Sequence, residues 1–156
     1  MSRTPAARLD DALVELVEAA AELASAPSIG ETLERFVASA GRQIGARVAV
    51  GELHVGDRHF VAASLAPSLE EHRAELVPPP AWVTEQLEAD RRSVRLSEQA
   101  TNMARPADAR APLGSVLATA LRNRRGDRLG TAFLAGREAG GDFTPEDQVV
   151  LEQLGA

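Results

Sequence analysis

Two uncharged runs near the C-terminus set the pattern of the chain. Ser115 to Leu121 and Leu129 to Ala135 contain no charged residue, where a strand with one wet face would alternate apolar and polar positions. Both faces of both strands are therefore expected to be covered, which puts the pair in the middle of a sheet, with Phe133 filling the core between sheet and helices. Between the runs, Arg122 to Arg128 is polar, and Gly126 suits the positive φ of a hairpin turn. Gly136 to Phe143 is a glycine-rich loop. Thr144-Pro145-Glu146-Asp147 then opens a helix, with a capping hydroxyl, a proline for the first turn and two acids at the positive end.

Ahead of these runs the chain reads as helix, hairpin and lid. Residues 1–8 are expected to be disordered and residues 9–156 to form one domain. Apolar residues recur at Leu9, Leu13, Leu16, Ala20 and Leu23, with Val14, Val17, Ala21 and Ala24 beside them. A helix packed on one sheet face needs only one such stripe, which leaves the other for the domain's own interior or for a partner helix. Ala26-Pro27 breaks this helix. Ser28-Ile29-Gly30-Glu31 has the spacing of a capping box. Ile29, Leu33, Phe36, Val37, Ala40 and Ile44 continue at helical spacing to Gly45, a helix stop. Arg47 to His54 alternates as a strand, Val55-Gly56-Asp57-Arg58 turns, and His59 to Leu65 is the hairpin partner. Ala66 to Glu75 is polar with weak helical character, and Val77-Pro78-Pro79-Pro80 is a stiff connector. Ala81 to Ala89 reads as a short helix and Ser93-Val94-Arg95-Leu96 as an edge strand. Glu98 to Pro112 shows no apolar period and reads as a long loop, of a length more often functional than idle.

The 156 residues, 44% hydrophobic and 26% charged, suit a globular domain with a core of its own. No apolar run approaches the ~20 residues that span a bilayer, and the start resembles an amphipathic helix more than a signal peptide. A cytoplasmic protein without membrane insertion is expected. The net charge of −6 argues against nucleic acid as a partner. There is no cysteine, which removes disulfides, thiol catalysis, thioether-linked cofactors and cysteine–zinc sites. All 17 basic residues are arginine, so there is neither a Schiff-base nor a P-loop lysine.

Candidate chemistry is sparse. His54 and His59 flank the first hairpin turn and can face each other across it. Two histidines alone make a poor metal site and no third ligand is evident, so exposed hairpin residues and no metal are expected. His72, in Glu70-Glu71-His72-Arg73, belongs to a solvated face. Arg91, Arg92, Arg95, Arg105 and Arg110 gather in one region, and guanidinium forks suit carboxylates and phosphates. The plainer reading leaves them solvated or paired with Glu88, Asp90 and Asp108. Ser93 and Ser97 have no histidine and acid placed beside them, so no catalytic residue is assigned.

Three stretches carry a family resemblance: Leu117-Ala118-Thr119-Ala120-Leu121, the run from Arg125 to Leu134, and Asp142-Phe143-Thr144-Pro145-Glu146-Asp147. With the order of elements, they resemble the GAF domain, most nearly the GAF modules of sensor histidine kinases and related signalling proteins of GC-rich bacteria. The resemblance covers about residues 9 to 156. It implies an α+β, PAS-like fold: an antiparallel sheet of five to six strands in the order 2-1-5-4-3, with N- and C-terminal helices on one face. On the other face it implies a pocket lidded by residues 66 to 112 and lined by Trp82, Val94, Met103, Arg105, Arg110, Leu117 and Thr119. Haem-binding GAF domains similar to this one carry their histidine at about the position of Arg110, and bilin-binding relatives attach through cysteine. No cofactor is therefore expected, haem and bilin included.

Terminal helices of similar domains pair into a parallel bundle. A homodimer is expected through Leu9, Leu13, Leu16, Leu23, Val150 and Leu154. The expected function is a regulatory module rather than an enzyme, sensing an unknown small molecule and signalling to an output domain, a histidine kinase foremost. The alternative is a dimerisation or protein-interaction module with a vestigial pocket.

Overall fold

The computed structural model describes residues 28–87 and 91–155, together with Leu13 and Leu16. The disorder expected of residues 1–8, and the first helical stretch apart from those two leucines, lie outside the described residues. Leu13 and Leu16 are both helical.

Local signals fix the regular elements. Helix α1 (Ile29–Ile44) starts at Ser28, whose Oγ accepts the Glu31 amide at 3.1 Å, and stops at Gly45, with φ of 81° in the left-handed region. Strands β1 (Ala46–Val55) and β2 (Arg58–Leu65) form the first hairpin, turning at Gly56 with φ of 63°. The last helix, α5 (Pro145–Leu154), carries a full capping box. Thr144 Oγ1 accepts the Asp147 amide at 3.1 Å, and the Asp147 carboxylate accepts the Thr144 amide at 2.9 Å.

Strands β3 (Ser93–Leu96), β4 (Val116–Arg122) and β5 (Arg128–Arg137) complete one antiparallel sheet in the order β2-β1-β5-β4-β3. The two uncharged runs lie inside it, β5 at its centre, and the short strand at 93–96 is an edge, as the pattern predicts. The architecture is α+β, with five strands.

The sheet separates two cores. On one face, Leu33 and Val37 of α1, Leu151 of α5 and Phe143 pack against Ala49, Leu117, Ala132 and Leu134. On the other, Leu69, Leu76, Trp82, Val83 and Leu87 of the lid cover Val48, Val50, Val116, Ala118 and Phe133. Phe133 thus lies under the lid and not beneath the helices. In strand register it sits between Val50 and Ala118, and all three side chains share that face.

The lid is built from short pieces: a 3-10 turn (Pro67–His72), α2 (Arg73–Leu76), α3 (Ala81–Gln86), β3 and α4 (Glu98–Ala104). The stretch from Glu98 reads as loop in sequence, but its first half is helix α4. Ser97 Oγ caps it by accepting the Ala100 amide at 3.1 Å, and Asp142 accepts the Glu98 amide at 2.9 Å. Only Thr101 of α4 is buried, so the helix leaves no apolar stripe to recognise.

Candidate functional site

Among the described residues, the face on which the pocket is expected is packed with the protein's own side chains. Trp82 and Val94 lie together in the lid-side core. Leu117 and Thr119 do not join them. Strand side chains alternate, so while Val116 and Ala118 face the lid, Leu117 points into the helix-side core. Thr119, on the same side as Leu117, donates its hydroxyl proton to the Arg92 carbonyl at 3.1 Å. Met103 is 80% exposed on α4, and Arg110 is exposed at the end of the lid.

Side-chain-to-backbone bonds close the lid on itself. The Glu75 carboxylate accepts the amides of Arg110 and, at 2.8 Å, Ala111. The Arg105 guanidinium donates to the Ala111 carbonyl. Arg105 and residue 110 therefore hold the lid shut rather than line a cavity.

The five arginines do not converge on one anion site. Arg95 donates to the Phe143 carbonyl at 3.3 Å, and Arg92 pairs with Glu152 at 3.8 Å. Glu88 and Asp90, two of the partners expected from sequence, lie outside the described residues.

An open cleft of about 440 Å³ lies at the far end of the helix side, where the β4–β5 hairpin meets the last turn of α5. Arg92, Arg122 and Arg124 bring positive charge to it, and Glu152 is its carboxylate. Ser93 Oγ donates to Glu152 at 2.5 Å and accepts from the Gln148 amide at 2.8 Å. Sequence reading missed this group because Ser93 lies more than fifty positions from its partners and no local spacing joins them.

Of the expected dimer residues, Leu13 and Leu16 are 53% and 66% exposed. Leu154 packs partly onto the helix-side core and Val150 is half-buried. The exposed apolar residue of α5 is instead Val149. Leu9 and Leu23 lie outside the described residues.

No protein-family model matches the chain, and no curated protein matches it significantly. Solved structures do. A GAF domain/HD domain protein from Geobacter sulfurreducens is 15% identical, over 81% of this chain and 86% of that one, with a TM-score of 0.61. The GAF domain of an Acinetobacter phosphoenolpyruvate-protein phosphotransferase is 21% identical, over 100% and 90%, at 0.54. The GAF domain of the cyanobacteriochrome TePixJ is 11% identical, over 86% and 88%, at 0.58.

The last of these corrects the expectation of a cofactor-free domain with haem and bilin set aside. A cyanobacteriochrome module has this same fold. The missing cysteine and the arginine at position 110 bear on how a chromophore would be attached, not on whether the fold can carry one. In sheet order, in the helices on one face and in the lidded segment on the other, the chain has the GAF fold.

Proposed function

We propose that this chain is a regulatory module of a bacterial signal-transduction protein, the input domain of a sensor histidine kinase foremost. It acts as a homodimer through its terminal helices and passes its state to an output domain. No step of catalysis is assigned to it. The observation that carries this reading is the exposure of Leu13 and Leu16, both helical, in a sequence where apolar residues recur at heptad-like spacing. Val149 on α5 adds a third uncovered apolar side chain. Among the described residues no helix is long and apolar enough to cross a membrane, and we place the module in the cytoplasm.

The input is a small molecule bound on the lid side, for which the lid must open. A specific observation favours a second reading, an interaction module with a vestigial pocket: Trp82, Val83, Val94 and Phe133 already fill that face. Thermal stability against a metabolite panel separates the two. A ligand at a hundredfold excess over its Kd adds about 2.7 kcal/mol; a panel without effect leaves the interaction module. Light scattering on the wild type and on Leu13→Glu with Leu16→Glu tests the dimer. A dimer indifferent to both charges, or a monomer at millimolar concentration, removes the proposed interface.

A further inference from the structure

We propose that Glu52, His54 and His59 bind a divalent transition-metal ion, a site that goes beyond the regulatory role and does not depend on it. The strand period builds it. Glu52 and His54 are two positions apart on β1, so both side chains leave the lid face of the sheet, and the register sets His59 opposite His54. His59 Nε2 lies 2.9 Å, and His54 Nε2 3.8 Å, from the same oxygen, Glu52 Oε2. Ligand atoms of all three residues fall within 4.8 Å of one another. No third ligand is evident in the sequence; Glu52 supplies it.

The geometry and chemistry suit one ion. Ligands bonded at 2.0–2.2 Å around a common metal stand roughly 3–3.5 Å apart, the lower end for octahedral and the upper for tetrahedral geometry. The His59–Glu52 distance already meets this, and the exposed His54 ring has room to turn in. The two imidazoles stack with centroids 4.3 Å apart and planes 4° from parallel. Neutral imidazole is the form that ligates a metal ion. The backbone below is fixed: β5 runs so close that a Cβ on Gly130 would stand 1.8 Å from the Glu52 carbonyl oxygen.

The lid covers Val48 and Val50 but stops short of this end of β1. A cleft of about 260 Å³ opens there, between Thr84 of α3 and Arg128 to Thr131 of β5. Arg128 is turned to Thr131, donating to its hydroxyl at 2.9 Å. Three protein ligands leave coordination positions facing this cleft for water or a small anion. Two imidazoles and one carboxylate suit Zn²⁺, Co²⁺ or Ni²⁺ rather than Mg²⁺ or Ca²⁺, which prefer all-oxygen shells.

Calorimetric titration of the metal-free chain with Zn²⁺ tests the site, with Co²⁺ followed by its visible absorption. One equivalent is expected at pH 7.5. Binding should weaken in acid, because metal affinity requires deprotonated ligands. His54→Asn, His59→Asn and Glu52→Gln should each weaken it on the order of 100-fold or more, since even outer-shell partners are worth 10–100-fold. Variants that bind as the wild type does, or a wild type that takes up no metal, would overturn the proposal. A second readout needs no variant: Co²⁺ should broaden the backbone amide signals of residues 52–60 first. Broadening centred on His72 and Glu71, the other histidine–carboxylate pair, would place the metal elsewhere and sink the assignment.

Discussion

The two faces of the sheet are covered in different ways. The helix side carries long elements with strong local signals: α1 runs from the Ser28 cap to Gly45, and α5 opens on a full capping box. The lid side is covered by pieces of four to seven residues whose own hydrogen bonds cannot hold them in place. Apolar anchors do so, Leu69, Leu76, Trp82, Val83 and Leu87, together with the Glu75 carboxylate that ties residue 75 to residues 110 and 111. A sheet face can therefore be sealed without a regular covering element, if the irregular segment brings large side chains and satisfies its own backbone.

Three measurements sharpen or break that contrast. Phe133→Ala should have the largest effect, about 3–5 kcal/mol by urea denaturation, because a fully buried ring would leave a cavity under the lid. A loss below about 1 kcal/mol would mean that the lid collapses into the space and is no true core. Glu75→Ala should cost less, about 1–3 kcal/mol, from two backbone amides left without their carboxylate partner. Its signature is spatial: hydrogen exchange should rise in residues 66–76 and 105–112 and stay unchanged in α1. Uniform acceleration would show that the two layers open together.

The smallest effect belongs to the lid surface. The Glu70 carboxylate accepts two bonds from the Arg73 guanidinium at 3.0 Å, and that bonding holds its pKa below the ordinary carboxylate value. A lowered folded-state pKa contributes stability above the unfolded pKa, and that contribution disappears as pH falls through the folded value. Both side chains are solvent-exposed, so the expected change in stability is slight. An NMR titration of Glu70 showing an ordinary or raised pKa would refute the pairing.

The same contrast decides what could be read from sequence. Caps, stops and helical spacing are local, so α1, α5 and both hairpins are legible. The strand order is not local; it came from resemblance to GAF domains. Which way β4 and β5 face is hidden for a different reason. Both runs are uncharged on both sides, so nothing in the pattern says whether Leu117 or Val116 meets the helices, or that Phe133 turns to the lid. The seven residues of α4 bury a single threonine and leave no period. The third member of the histidine group was within reach: Glu52 precedes His54 by two positions on an alternating strand, and the two-residue turn at Gly56-Asp57 fixes the register that brings in His59.

The centre of the sheet also governs how the chain can assemble. Val50 and Phe133 are paired neighbours although 83 positions apart. The β1–β2 hairpin can close as soon as it is made, but the inner edge of β1 stays open until β5 exists. Such distant pairing slows folding, and for that interval the nascent chain exposes an unpaired strand edge able to join another chain. A cut anywhere in the lid would separate the two halves of the central ladder, making the lid the covalent tether that turns a meeting between strangers into loop closure.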